Sequence, residues 1–273
     1  NYRPTVGRRT FLAGAAATTF SIIKPSLVRG SQANSMMEIG MIGCGGRGNW
    51  IAKLFLKHGK YRFVACSDYF QDRIDKFGSS CQVEPSRRYA TLSGHKRLLE
   101  SKLDAVVIES PPYFHPEQAA AAVEAGKHVF VAKPMAVDVP GCLSIAESGK
   151  KATARKLVFL IDFQTRANEF YREAARRVHA GEIGRLVCVE AHYPWSGSGS
   201  GTPSPDPEDR LRNWYCTLAY SGDVIVEQDI HALDVATWFI NADPVRAYGA
   251  GGRTLRKFGN IWDHFSVIYW FPN

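Results

Sequence analysis

Residues 38–58 read EIGMIGCGGRGNWIAKLFLKH, a short apolar strand that passes through a glycine-rich turn into a helix. In this stretch Gly43, Gly45 and Gly48 form the pattern G-x-G-x-x-G, in the strand-to-helix setting that dinucleotide binding requires. The first glycine permits the tight turn, the second lets the backbone approach a diphosphate, and the third lets helix and strand pack closely. Amide groups at the start of the helix would face the phosphates. The stretch predicts a parallel α/β domain that binds a dinucleotide.

An acidic residue stands where such a domain needs one. The next strand, predicted at 61–67, ends at Asp68, about 20 residues beyond the start of the helix. A carboxylate there accepts hydrogen bonds from the adenosine ribose and repels a 2′-phosphate. We therefore expect NAD as the cofactor. NADP is less favoured but stays open, because Arg47 and Arg73 lie close to the same turn.

Strand and helix patterns alternate from this turn to residue 163, which predicts a doubly wound parallel sheet. Further strands are predicted at 104–109, 128–132 and 157–162. Ligands bind such sheets at the carboxyl ends of the strands, so the residues that follow the strands should face one crevice. The predicted cofactor-binding residues are Gly43, Gly45, Gly46, Arg47, Gly48, Asp68, Ser110, Pro111, His115 and Lys133.

Several motifs, in order and spacing, resemble those of one protein family. They are ESPPYFH at 109–115, AGKHV at 125–129, Lys133-Pro134, AGEIGR at 180–185 and EQDIHALD at 227–234. Together they resemble the Gfo/Idh/MocA family, named for glucose–fructose oxidoreductase, inositol dehydrogenase and MocA, and the likeness covers about residues 36–273.

The resemblance implies an α/β protein of two domains. An N-terminal Rossmann dinucleotide-binding domain would span 36–163, and an α+β substrate and oligomerisation domain with an open, mostly antiparallel sheet would span 164–273. Residues 263–271 alternate like a strand up to the end of the sequence. We therefore expect the sheet of the second domain to be incomplete in this chain, truncated at its C-terminal side.

The resemblance also implies hydride transfer between a tightly bound nicotinamide and a sugar or cyclitol carbon. The catalytic lysine of the family falls on Lys133, its histidine on His231 and the acidic partner on Glu227. Two departures from the family pattern are Glu227, where an aspartate is more usual, and Ala132, which replaces a glutamate before the lysine.

The chemistry of alcohol oxidation independently suits the same residues. It needs a base for the hydroxyl proton and a cation near the developing alkoxide, roles that fit His231 and Lys133 respectively. Glu227 and His231 are four residues apart, so on a helix they would share one face. Arg166, after the strand at 157–162, is a further candidate for substrate binding together with Glu227 and His231.

Two other functions stay open on the sequence. The turn Gly45-Gly46-Arg47-Gly48 resembles that of NAD-dependent glycoside hydrolases, which oxidise a sugar transiently and eliminate the aglycone. A noncatalytic sugar- or cofactor-sensing protein would keep the glycine turn but would need neither Lys133 nor His231.

The six cysteines form no C-x-x-C pair or Cys/His cluster, so no metal site is predicted.

Residues 1–33 have the features of a twin-arginine signal peptide. Arg8-Arg9 precedes a mild apolar stretch at 11–23, and Ser31-Gln32-Ala33 offers a cleavage site. That stretch is shorter than the roughly 20 residues that span a bilayer, so no stable membrane anchor is expected. We predict export to the periplasm with the cofactor already bound.

The net charge of +8 does not indicate nucleic-acid binding. Residues 1–33 hold five basic side chains and no acidic one, so most of the excess positive charge lies outside the predicted domains. No basic stripe with interleaved aromatic residues follows.

The expected partners are a small sugar or cyclitol and, from the family resemblance, further copies of the chain. The polar segment 196–209 is predicted to be a flexible loop.

Overall fold

The computed structural model describes residues 36–194 and 205–272. Six parallel strands form the central sheet in the order β3-β2-β1-β4-β5-β6. This is the doubly wound order of dinucleotide-binding domains, in which the order reverses between β1 and β4. The predicted parallel sheet is therefore confirmed. The strands are β1 (Met37–Ile42), β2 (Tyr61–Asp68), β3 (Arg88–Ala90), β4 (Ala105–Ile108), β5 (His128–Ala132) and β6 (Phe159–Asp162).

Helices connect the strands, and apolar side chains fill the spaces between them and the sheet. The helices are α1 (Gly46–His58), α2 (Gln71–Ser80), α3 (Gly94–Glu100), α4 (His115–Glu124) and α5 (Val139–Ala154). One buried cluster includes Leu98, Val106 and Ile145, and the other includes Ile39, Phe63 and Phe77. Because neighbouring buried strands expose neither face to water, their sequences are almost continuously apolar.

One strand of this sheet was not predicted from the sequence. β3 is three residues long and pairs with the end of β2. It is held in place partly by Arg88, whose guanidinium donates two hydrogen bonds, of 2.9 and 2.7 Å, to the carbonyl oxygen of Val83. A three-residue strand is too short to produce a recognisable alternation of apolar and polar residues.

The remainder of the chain combines helices with a small antiparallel sheet. Its helices are α6 (Glu169–His179), α7 (Pro207–Arg212), α8 (Leu218–Ser221) and α9 (Ile230–Ile240), and its strands are β7 (Arg246–Gly252) and β8 (His264–Trp270). β7 and β8 pair in antiparallel fashion, so the predicted antiparallel sheet is present, with two strands in the described part of the chain. A π-helical turn, Ile225–Asp229, leads directly into α9.

The predicted domain boundaries, 36–163 and 164–273, stay predictions. The segment 1–33, predicted to be a signal peptide, lies outside the described residues, as does most of the predicted loop at 196–209. In the part of the chain that the structure describes, no helix is both long enough and apolar enough to cross a lipid bilayer.

Candidate active site

The glycine-rich turn combines two glycines that packing requires with two that border open space. Gly43 has a φ of 94°, and a Cβ atom on it would lie 2.4 Å from the main-chain carbon of Glu109. A Cβ atom on Gly48 would lie 2.1 Å from the carbonyl oxygen of Gly43. In contrast, a Cβ atom on Gly46 would meet nothing within 4 Å, and one on Gly45 only the end of the Arg73 side chain at 3.9 Å. The open side of the turn fits a diphosphate group that approaches the backbone.

Asp68 is fixed at the edge of the same cleft. Its Oδ2 accepts a hydrogen bond of 2.7 Å from the Cys44 amide, and its Oδ1 accepts one of 3.0 Å from the Phe70 amide. Each carboxylate oxygen keeps a further acceptor position. The cleft that Asp68 lines with the glycine turn therefore has the groups that would hold an adenine dinucleotide by its diphosphate and its adenosine ribose.

Arg47 extends from the glycine turn across the carboxyl ends of two strands. Its guanidinium pairs with Asp162 at the end of β6, and its Nε lies 3.6 Å from Oε2 of Glu109, just after β4. The guanidinium carbon is also 4.6 Å from the centroid of the Trp50 ring. Arg47, one of the predicted cofactor-binding residues, is thus held by two protein carboxylates.

Glu109 is a candidate functional residue that the sequence analysis did not assign. Its side chain is 0% exposed, and neither carboxylate oxygen has a hydrogen-bond partner among the described residues. Burial raises the pKa of Glu109 to about 8, against the opposing effect of the Arg47 charge. The signal in the sequence was an ionisable residue directly after a fully apolar strand.

Lys133 and Glu227 form a buried ion pair between the two parts of the chain. Lys133 follows β5 and Glu227 lies in the π turn before α9, with 3.0 Å between Nζ and Oε1. Nζ also donates a hydrogen bond to the main-chain carbonyl of Glu227. Each side chain is 10% exposed. Burial raises the pKa of Glu227, and the charge and hydrogen bond of Lys133 oppose that shift.

His231 lies one turn further along, at the start of α9. The expected α-helical pairing with Glu227 is replaced by the π turn, and the Glu227 carboxylate faces Lys133. The half-buried imidazole stacks on Tyr193, with 5.7 Å between ring centroids. Burial is the main cause that lowers the pKa of His231. The charges of Lys133 and Arg47 add to it, while Asp234 and Asp162 oppose it.

Arg166 is near this group but its charge is already paired. Its Nε donates hydrogen bonds of 2.9 and 3.0 Å to the two carboxylate oxygens of Asp234, three residues beyond His231. The guanidinium also lies over the Trp238 ring at 5.2 Å. Arg166 is therefore fixed against α9, the helix that also bears His231.

The motif after β4 divides into residues that line the cleft and one that supports it. Ser110 and Pro111 line the cleft, and the Ser110 hydroxyl donates a 2.6 Å hydrogen bond to Gln118. His115 is 0% exposed, and its ring nitrogens lie 2.8 Å from the carbonyl oxygens of Ser110 and Pro134. The side chain is buried beneath the loops that it connects, and its predicted contact with the cofactor stays a prediction.

No metal site emerges from the described residues, 36–194 and 205–272, since they contain no group of three or more His, Cys, Asp and Glu side chains that could hold an ion. The candidate site therefore consists of two adjoining parts. The first is the cleft of the glycine turn and Asp68, and the second is the set Lys133, Glu227 and His231.

Two family models match this chain. The oxidoreductase family Gfo/Idh/MocA, described as an NAD-binding Rossmann fold, matches residues 37–160. The C-terminal domain of the same family matches residues 171–273. The first match ends within β6, the second begins within α6, and together they cover most of the described chain.

Individual relatives agree with the family matches. Inositol 2-dehydrogenase 2 of Saccharopolyspora erythraea is 29% identical over 212 residues, which is 77% of this chain and 56% of that protein. The crystal structure of myo-inositol 2-dehydrogenase from Lactobacillus plantarum has a TM-score of 0.63 and 26% identity, over 80% of this chain and 60% of that one.

A third structure shares the fold at lower identity. The scyllo-inositol dehydrogenase from Lactobacillus casei, with bound NAD(H) and scyllo-inositol, has a TM-score of 0.67 and 21% identity, over 86% of this chain and 66% of that one. The present chain spans a little over half the length of the curated relatives that it matches.

Proposed function

The chain belongs to the Gfo/Idh/MocA family and carries its NAD-binding Rossmann domain, and from this premise we propose that it is an oxidoreductase. It transfers hydride between a tightly bound NAD and a hydroxyl-bearing carbon of a cyclitol or sugar. The observation that carries the proposal is the buried Lys133–Glu227 pair, which joins the cofactor-binding sheet to the segment that bears His231.

The residues of the site divide the tasks of alcohol oxidation. NAD, when bound, supplies the acceptor for the hydride that leaves carbon. His231, whose pKa is lowered by burial and by neighbouring cations, is uncharged at neutral pH and can accept the hydroxyl proton on a ring nitrogen. The positive charge of Lys133 stabilises the negative charge that develops on the substrate hydroxyl oxygen as its proton leaves. Glu227 holds the Lys133 ammonium in place at 3.0 Å.

We propose NAD, with NADP less favoured, and the two arginines near the glycine turn both have protein partners. Arg47 pairs with Asp162, and Arg73 donates a 3.3 Å hydrogen bond to the carbonyl of Arg212. The carboxylate of Asp68 stands where the additional phosphate of NADP would lie and would repel it.

A cyclitol is the substrate class that the relatives favour. The curated and solved relatives named above are inositol dehydrogenases, which supports oxidation of a cyclic polyol over the glycosidase and sensing alternatives. Lys133 and His231 together also favour an enzyme, since a sensing protein needs neither.

The proposal is tested with a panel of substrates. Protein loaded with NAD would be mixed with inositol isomers, with aldoses and, to test the glycosidase alternative, with aryl glycosides. We expect the near-ultraviolet absorbance of NADH to rise with at least one cyclitol or aldose, and the product to be lighter by two hydrogen atoms. Release of phenol from the glycosides without net NADH would contradict the proposal.

Export and self-association are also proposals. Arg8-Arg9, followed by an apolar stretch and preceded by no acidic residue, supports transport by a twin-arginine route. Replacement of both arginines by lysine should keep a reporter fusion out of the periplasm.

The exposed aromatic and aliphatic residues of β7 and β8, such as Tyr248 and Ile268, support a homo-oligomer, which light scattering would detect as a mass above 30.3 kDa.

A further inference from the structure

A segment from the second part of the chain lies against the turn that follows Asp68. We call this segment, residues 206–216, the strap; it contains α7 and a 3-10 turn at Trp214–Cys216. The hydroxyl of Tyr69 donates a 2.8 Å hydrogen bond to Glu208 on the strap. Arg212 donates hydrogen bonds of 3.0 and 3.1 Å to the two carboxylate oxygens of Asp72. Both contacts anchor the strap beside the acidic residue predicted to bind ribose.

Further contacts of the strap converge on Phe70, the second residue after Asp68. The guanidinium of Arg212 lies 3.9 Å from the centroid of the Phe70 ring, and that of Arg73 lies 4.7 Å from it. Arg73 also donates a hydrogen bond to the Arg212 carbonyl. Arg212 therefore combines an ion pair with a cation–π contact on two residues of the Rossmann domain.

The inner side of the strap faces the cleft. Leu211, which is 9% exposed, and Trp214 line it together with Asp68 and Gly45. The cleft encloses about 160 Å³, less than the roughly 300–1,000 Å³ of small-molecule sites in general. The strap therefore narrows this side of the cleft, where a dinucleotide would enter or leave.

We propose that the strap forms the outer wall of the adenosine half of the cofactor site and limits the rate at which the dinucleotide dissociates. This inference rests on the proposed function in one respect, that NAD is the ligand of the cleft. The contacts that close the strap are exposed and individually weak, so they open in thermal motion. Together they make the open state rare, so release of the bound cofactor is slow.

The test measures NADH dissociation and needs no turnover. Purified protein loaded with NADH is mixed rapidly with excess NAD, and the loss of the fluorescence of bound NADH gives the rate. In the double variant Tyr69→Phe/Arg212→Gln the hydroxyl contact, the ion pair and the cation–π contact are lost. We expect dissociation to be about tenfold faster. A second variant, Leu211→Ala, removes the apolar part of the wall and should also accelerate release.

The matched control is Arg176→Gln. Arg176 makes a two-bond contact with Glu173 on α6, at 2.8 Å for both bonds, and it is exposed like Arg212. Its loss should leave the dissociation rate unchanged. The proposal is overturned if the strap variants release NADH at the wild-type rate, or if the control accelerates release equally. If the strap variants release NADH faster but the protein oxidises no polyol, only the proposed function is overturned. If the protein does not bind NADH, both proposals are overturned.

Discussion

At the scale of single residues, the site depends on two buried carboxyl groups with different partners. Glu227 has the Lys133 ammonium at 3.0 Å, whereas Glu109 has the Arg47 guanidinium at 3.6 Å and no hydrogen bond among the described residues. Burial disfavours the charged form of both. Lys133 opposes this effect at Glu227 through its charge and a hydrogen bond, whereas at Glu109 the Arg47 charge opposes it and the Asp162 charge adds to it.

The raised pKa of Glu109 predicts a specific dependence of stability on pH. Between its ordinary value of 4.5 and about 8, the folded protein keeps a proton that the unfolded chain has lost. The contribution of this group to stability is therefore complete below about pH 4.5 and declines as pH rises through about 8. Glu109→Gln should remove this part of the decline, which is on the order of a few kcal/mol.

Urea unfolding of the wild type and of Glu109→Gln, at about pH 5 and about pH 9, measures how the free energy of unfolding of each depends on pH. Glu124→Gln is the control, because Glu124 is an exposed carboxylate that Lys151 and Arg155 pair. It should keep the wild-type pH dependence over this range. If Glu109→Gln also keeps it in full, the account of Glu109 is wrong.

Motif spacing, residue chemistry and the family resemblance predicted the glycine turn, Asp68, Lys133, Glu227 and His231 as site residues, and their roles stay predictions. The sequence did not predict that Arg47 is held by Glu109 and Asp162, because that contact joins a turn to the ends of two strands distant in sequence. For a similar reason it did not predict that the His115 side chain is buried. Burial beneath two loops depends on how those loops pack.

At the scale of secondary-structure elements, strong periodic patterns were predicted well and short elements were not. β5 was predicted with its observed bounds and β6 with its observed last residue. β3 was missed, and the π turn at Ile225–Asp229 was expected to be α-helix. One additional residue in a helical turn leaves the apolar pattern almost unchanged, so the sequence does not distinguish the two forms.

The glycine turn provides a prediction at this scale. Gly48→Ala places a methyl group 2.1 Å from the Gly43 carbonyl oxygen, so it should cost about 1–3 kcal/mol of stability. Gly46→Ala meets nothing within 4 Å and should leave stability unchanged or slightly higher. If a diphosphate occupies the open side of the turn, Gly46→Ala should nevertheless weaken NAD binding by about tenfold or more.

Thermal unfolding and calorimetric titration with NAD separate the two effects. Gly46→Ala that binds NAD as tightly as the wild type would show that the open side of the turn is not the diphosphate site. Gly48→Ala without loss of stability would contradict the packing role assigned to this glycine.

At the scale of the whole molecule, the site exists only where the carboxyl edge of the parallel sheet meets the segment that leads into α9. Lys133 comes from the sheet, and Glu227 and His231 come from the other part of the chain. The parallel sheet followed from repeated strand and helix patterns. The antiparallel sheet was predicted mainly from the family resemblance. The sequence of β8 alternates clearly, but that of β7 does not, because three of its seven residues are glycines.

The most direct test of the central claim is a single-turnover measurement on NAD-loaded protein with Lys133 intact and with Lys133→Met. On mixing with a cyclitol that the wild type oxidises, the wild type should form close to one NADH per bound NAD. Lys133→Met should bind NAD with similar affinity but form NADH at least about 100-fold more slowly. Equal rates in the two proteins, or no NADH from the wild type with any cyclitol or sugar tested, would contradict the account.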